Sequence, residues 1–185
     1  MRGRYMVEQN DVKIVWKGRH LSMADRDGWE FAIRNTRKPS VGIVAIMDDH
    51  RVVLVEQYRP PVKGKVIELP AGLVGDLAGS ENESLLECAK RELYEETGYS
   101  ATTWTELIRA YSSPGLTDES IVLFLAEGLT KSGRGGGDAG EDIAIHEVQL
   151  DQVVQWLSDR GGRADLKLLA ALHLTENQLR KRGTE

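Results

Sequence analysis

Apolar and polar positions alternate along the chain in short blocks, and the blocks set the first expectations. Val12 to Trp16 and Trp29 to Ile33 alternate with a period of two and read as strands joined by polar turns. Val41 to Met47 is continuously apolar, as in a strand buried on both faces, and Val52 to Val55 follows after the polar Asp48-Asp49-His50-Arg51. That pair predicts a hairpin. Val66 to Leu69 is a short strand stopped by Pro70, and Thr103 to Tyr111, Ile121 to Glu127 and Ile143 to Val148 read as further strands. Asp151 to Leu157 and Ala164 to Arg182 have helical spacing, the second with Leu168, Leu169 and Leu172 and basic residues near its end. Residues 132–140, SGRGGGDAG, are glycine-rich and predict a mobile loop. Strands with inserted helices but no strict alternation predict a mixed sheet flanked by helices.

The most informative block is Ser80 to Tyr99. Ser80 and Glu83 form the S-x-x-E pattern of a capping box, which predicts one helix from Ser80 to Thr97. Leu85, Ala89 and Leu93 make its apolar stripe, and Gly98 suits the left-handed residue that ends a helix. The opposite face crowds Glu92, Glu95 and Glu96 together at i, i+3 and i+4. Like charges at that spacing cost about 0.2–0.5 kcal/mol per pair on an exposed helix. Either they are solvated, with Arg91 pairing Glu95, or a hard divalent cation compensates them.

Composition narrows the classes. The 185 residues are 41% hydrophobic and 29% charged, as in a soluble protein of one domain, and the net charge of −5 argues against a nucleic-acid partner. The single cysteine, Cys88, excludes an intrachain disulfide framework, fits a reducing compartment and reads as core. No apolar run has the length of a membrane span, and no apolar segment follows Arg2 and Arg4 to make a signal peptide. A cytoplasmic protein is expected. Four histidines, at 20, 50, 146 and 173, show no ligand spacing.

The string Arg91-Glu92-Leu93-Tyr94-Glu95-Glu96-Thr97-Gly98-Tyr99 resembles the second half of the Nudix box, and Glu83 stands the required seven intervening residues upstream of Arg91. The box's leading glycine falls at Leu77; the nearest candidate is Gly72, with ten residues between it and Glu83, so the loop is longer than usual. Three flanking strings resemble the ADP-ribose and nucleoside diphosphate sugar pyrophosphatase branch: Glu56-Gln57-Tyr58-Arg59-Pro60-Pro61, Ile67-Glu68-Leu69-Pro70-Ala71-Gly72, and Ser113-Pro114-Gly115, whose proline falls fifteen residues after Tyr99.

The resemblance implies a Nudix-type α/β/α sandwich over residues 41–185, preceded at 1–40 by a small antiparallel sheet that in this branch is commonly exchanged in a homodimer. Trp16, Trp29 and Phe31 in that sheet are expected as core or dimer contacts, with one tryptophan able to stack on a base. The resemblance further implies magnesium, with manganese able to substitute, held by Glu92 and Glu96, with Glu95 assisting and the Ala71 carbonyl completing the shell. Arg59 would hold a phosphate, and Glu68 and Pro114 would contact substrate. Arg59 otherwise reads as an exposed strand-end charge, and Glu83 as either a helix cap or an outer metal contact. The general base would be Glu141, at the end of the glycine-rich loop, with Glu147 and Asp142 as rivals. The implied reaction is hydrolysis of a nucleoside diphosphate sugar. Hydrolysis of another diphosphate, such as a dinucleoside polyphosphate, and a non-catalytic nucleotide sensor remain the alternatives.

Overall fold

The computed structural model describes residues 12–76, 79–137, 140 and 142–182. A first sheet is made of β1 (Lys13–Lys17), β2 (Leu21–Arg26) and β3 (Trp29–Arg34), antiparallel in the order 1-2-3. The chain then enters β4 (Ser40–Ile46), β5 (Arg51–Arg59), β6 (Gly64–Glu68) and β7 (Ala71–Leu73). Helix α1 (Leu85–Thr97) follows, then the long strands β8 (Tyr99–Tyr111) and β9 (Ser120–Lys131). β10 (Ala144–Gln149), α2 (Val153–Asp159) and α3 (Leu166–Arg182) complete the described chain.

β4 is the organising strand of the seven-stranded sheet. It is buried from Val41 to Ile46, so both faces must be covered. One face packs Val41, Ile43 and Ala45 against Cys88, Ala89 and Leu93 of α1. The other packs Val44 and Ile46 with Val153 and Leu157 of α2 and Leu168, Ala171 and Leu172 of α3. The result is an α/β/α sandwich with a mixed sheet: β4 runs parallel to β9, and the other named pairs are antiparallel.

One irregularity of this sheet creates space for a site. β4 pairs β5 only at Ala45↔Val53 and Ile46↔Val52. Beyond that the two strands splay, and β6 takes up the freed edge of β5 while β7 takes up the freed edge of β4 at Ser40, Val41 and Gly42. Pro70, which has no N–H to donate, lies between these short strands, and its carbonyl accepts from the Ile43 N–H at 2.9 Å. The wedge places Glu68 and Ala71–Gly72 in the middle of the sheet rather than on a rim.

The expected elements correspond to observed ones, with four differences. Two short strands, β2 and β7, lie where turns or a stop were expected. β2 was hidden because its buried positions are the small Ser22 and Ala24, while Leu21 and Met23 face outward. The helix begins at Leu85, not at Ser80. Ser84 caps it, accepting from the Glu87 N–H at 3.2 Å while Glu87 accepts from the Ser84 N–H at 2.8 Å. Both serines begin an S-x-x-E string, but Glu83 is committed elsewhere, accepting from the Gly75 N–H and from Arg91. It cannot reach back to Ser80, whose carbonyl instead accepts from the Glu83 N–H in a turn. Trp16 and Trp29 are not core: they are 60% and 64% exposed, while Phe31 is buried beside Ala24 and Ile33. The glycine-rich segment, as far as Gly137, is docked rather than loose. The Gly136 and Gly137 N–H groups donate to the carbonyls of Glu96 and Glu95, closing the end of α1.

The cap can be tested directly. Ser84→Ala is expected to lower unfolding free energy by about 0.5–2 kcal/mol, and to shorten α1 at its start more than Ser80→Ala does. Urea denaturation measures the stability and far-ultraviolet circular dichroism the helix content of the two variants, and the reverse ranking would restore the longer helix.

Candidate active site

Helix α1 lies against the wedge with one flank of carboxylates. Glu92 and Glu96 are buried, whereas Glu95 is half exposed. A Cβ on Gly72 would stand 1.9 Å from the Glu92 carboxylate oxygen, so any side chain there would displace the Glu92 carboxylate. This close contact identifies Gly72 as the glycine opposite the helix, despite the long loop after it. Next to it, the Ala71 N–H donates to Glu96 Oε2 at 3.1 Å.

Arg91 organises the charges. Its Nη1 donates to Glu92 at 2.7 Å and to Glu95 at 3.0 Å; its Nη2 donates to Glu83 at 2.9 Å and to Asp76 at 3.1 Å. Burial alone would lower the pKa of this guanidinium, but the carboxylates, led by Glu83, push it further up and keep it charged. Glu83 is held below the usual carboxylate range by Arg91. It acts as a tie between the loop and the helix. Glu92 is the opposite case: burial pushes its carboxyl up to about 7, although Arg91 opposes the shift. A buried carboxylate so placed needs more positive charge than one arginine shared among four partners supplies.

The cleft beside these groups has a volume of about 290 Å³. Glu92, Glu96, Ala71 and Gly72 line it together with Arg59 and Glu68, so six of the residues expected from sequence at or near the site meet there. Arg59 is held by a two-pronged ion pair with Glu68, at 2.6 and 2.7 Å, rather than extended into solvent. Four charged residues of the cleft were not anticipated: Asp76, Arg34 with its partner Glu119, and Lys167. They come from the long loop, the first sheet, the start of β9 and the start of α3, which no local spacing could have linked.

Pro114 does not enter this cleft. It lines a separate cavity of about 240 Å³ with Trp29, Phe31, Arg26, Thr117 and Asp118. A small pocket lined by Arg34, Asp118 and Glu119 shares residues with both cavities. Glu147 is fixed away from the cleft on β10, accepting from the Tyr99 hydroxyl at 2.6 Å and from Arg51 at 2.5 Å. Asp142 is exposed, and Glu141 lies outside the described residues.

The donor set bears on which cation could sit here. Among the described residues, no three histidine, cysteine, aspartate or glutamate side chains converge tightly enough to enclose an ion alone. Glu92 and Glu96 fit as a partial shell with the Ala71 main chain adjacent, while Glu95 is outside the cleft lining and bonded to Arg91. A hard divalent cation would suit such a donor set, with water and phosphate oxygens as its other ligands.

Comparison with known proteins identifies the family and the fold. The NUDIX domain family matches residues 36–172. Over 122 residues the chain is 36% identical to the methanol dehydrogenase activator of Bacillus methanolicus and 34% identical to the ADP-ribose pyrophosphatase of Bacillus subtilis. Each alignment covers 65% of this chain and 63% of the relative, so the chain matches just under two thirds of the length of either. A crystal structure of an ADP compounds hydrolase superposes with a TM-score of 0.76 over 94% of both chains, at 23% identity.

Gly72→Ala tests the close approach. The added methyl must displace Glu92, so divalent-cation affinity measured by calorimetry is expected to fall about 10–100-fold, with the far-ultraviolet circular dichroism retained. Unchanged affinity would mean that the helix and β7 are not locked together as described.

Proposed function

The chain belongs to the NUDIX domain family, and from that premise we propose that it hydrolyses the pyrophosphate of ADP-ribose or a related nucleoside diphosphate sugar. The products are a nucleoside monophosphate and a sugar phosphate. The observation that carries this reading is the pair of buried carboxylates, Glu92 and Glu96, sharing one cleft with Arg59 and Lys167. An acidic wall facing cations suits a metal-bridged diphosphate and little else of that size.

Hydrolases of this family generally need a divalent metal; here we assign magnesium, with manganese as substitute. Glu92 and Glu96 hold it, with Glu95 and the Ala71 carbonyl assisting. A divalent ion held by these residues would supply positive charge to screen the diphosphate and Lewis acidity toward an attacking water. Arg59 leaves Glu68 to grip a phosphate oxygen, and Glu68 stays as a polar neighbour of the substrate. Trp29, Phe31 and Pro114 suit the base, since an aromatic and proline surface accepts a flat ring. Glu141 is the general base. It takes a proton from the water as the new P–O bond forms, and the bridging oxygen departs with the other phosphate. Glu147 is a poor alternative because Arg51 and Tyr99 already bind it.

Residues 1–40 form a dimerisation unit and 41–185 the hydrolase domain. The outward face of the first sheet supports this: Trp16, Leu21 and Met23 are exposed there, on the side away from the buried Ala24, Phe31 and Ile33. The lone cysteine, buried and unpaired, suits a reducing compartment, and we assign the protein to the cytoplasm. No described helix is long and apolar enough to cross a membrane.

A magnesium-dependent panel of ADP-ribose, other nucleoside diphosphate sugars and dinucleoside polyphosphates, with products identified by mass spectrometry, tests the reaction. Turnover of the sugars to a monophosphate and a sugar phosphate is expected; no turnover of any member would favour a nucleotide sensor. Glu92→Gln and Glu96→Gln should each cut turnover at least about a hundredfold with the fold kept. Glu141→Gln should lower kcat by about two or more orders of magnitude, while Glu147→Gln should not. An active Glu141→Gln beside an inactive Glu147→Gln would reverse that choice.

Light scattering at micromolar concentration is expected to give the mass of two chains. A monomer there would remove residues 1–40 as a dimer surface.

A further inference from the structure

One cation of the cleft comes from a part of the chain that carries no recognised motif. The segment after α2 turns back at Gly161 and Gly162 and is pinned to the edge of β6. The Ile67 N–H donates to the Arg163 carbonyl at 2.9 Å, and the Asp165 N–H donates to the Ile67 carbonyl at 3.0 Å. This clamp sits one residue before Glu68, the partner of Arg59. α3 starts immediately afterwards. Asp165 Oδ1 accepts from the Lys167 N–H at 2.9 Å, and its other oxygen is ion-paired with the Lys167 ammonium.

Lys167 thereby becomes part of the cleft wall facing Glu92 and Glu96. Its charge is also felt across the cleft by Glu119. Burial opposes ionisation of Glu119, but hydrogen bonds from Ser112 and Arg34 and the charges of Arg34 and Lys167 hold its pKa below the usual range. The three cations lining the cleft differ in how they are restrained. Arg34 is bonded to the largely buried Glu119, and Arg59 is gripped at two points by the buried Glu68. Lys167 has a partner only two residues away at the start of a helix, and its side chain is about as exposed as those of Arg34 and Arg59. An ammonium on a flexible stem exchanges partners more readily than a fixed guanidinium fork.

We propose that Lys167 is a phosphate-binding residue, which leaves Asp165 to hold a non-bridging oxygen of the substrate's diphosphate. Asp165 is its resting partner, competing with phosphate for the ammonium and keeping it oriented in the empty cleft. The inference rests on the reading that this cleft takes a diphosphate, and its test separates the two ideas.

Inorganic pyrophosphate in magnesium serves as the probe, titrated by calorimetry into the full chain, so the readout needs no turnover. Lys167→Met should weaken its binding about tenfold, as for loss of one charged contact, and raise KM for ADP-ribose similarly. Lys167→Arg should restore most of the affinity. Asp165→Asn is the discriminating variant: it keeps an oxygen to cap α3 but removes the competing charge, so pyrophosphate should bind more tightly. Lys167→Met binding pyrophosphate as tightly as the unchanged protein would overturn the proposal. So would Asp165→Asn binding more weakly, since Asp165 and Lys167 would then be only a helix cap and its counterion. If pyrophosphate behaves as expected but ADP-ribose is not hydrolysed, Lys167 stands and the assigned reaction falls.

Discussion

The contact between Arg91 and its ring of carboxylates holds the site together. One guanidinium reaches Glu92 and Glu95 on its own helix, Glu83 just before that helix, and Asp76 in the loop beyond β7. Without it, the carboxylates of α1 would repel one another in a partly buried setting, where like charges are costly. With it, the loop is tied down through Glu83, which in turn accepts from the Gly75 N–H. The same arginine is also an incomplete solution. Its charge is divided among four carboxylates, and Glu92 remains hard to ionise because it is buried. The proposed divalent cation would supply positive charge at this point, beside the buried Glu92 and Glu96.

The fold serves this arrangement by making a gap in its own sheet. Where β4 and β5 part company, two very short strands fill the space, and their turn delivers Glu68, Ala71 and Gly72 opposite α1. Both faces of β4 are packed, with α1 on one side and α2 and α3 on the other. The helix that carries the carboxylates cannot retreat from the glycine, because Ala89 and Leu93 are fully buried against the sheet. From the other layer, the clamp between β6 and residues 163–165 carries Lys167 to the same opening. Glu92 and Glu96 of α1 and Lys167 of α3 thus reach one cleft from helices on opposite faces of the sheet.

Much of this was legible from residue order. The continuous apolar run at Val41 announced a doubly covered strand, and the spacing of Glu92, Glu95 and Glu96 announced a charged helix face. Gly72 could be singled out despite the displaced spacing as the nearest glycine candidate, in E-L-P-A-G, and the structure sets it against the Glu92 side chain. What could not be read depended on tertiary competition. Ser80 and Ser84 offer the same local cap, and only the engagement of Glu83 by Gly75 and Arg91 decides between them. Gly135 reads as loose, yet it is small for a packing reason: a Cβ there would lie 2.4 Å from the Thr97 carbonyl carbon. Arg34, Glu119 and Lys167 were invisible because each is distant in sequence from the box and has an ordinary local role.

The account turns on where a cation binds. Crystals grown with manganese, with the ion located by its anomalous scattering, give the most direct measurement. The expected result is a peak bonded to the Glu92 and Glu96 carboxylates on the Ala71 side of the cleft, with Arg91 still joined to Glu83 and Asp76. A peak elsewhere, with Glu92 still held by Arg91 and Glu96 by the Ala71 N–H, would contradict it.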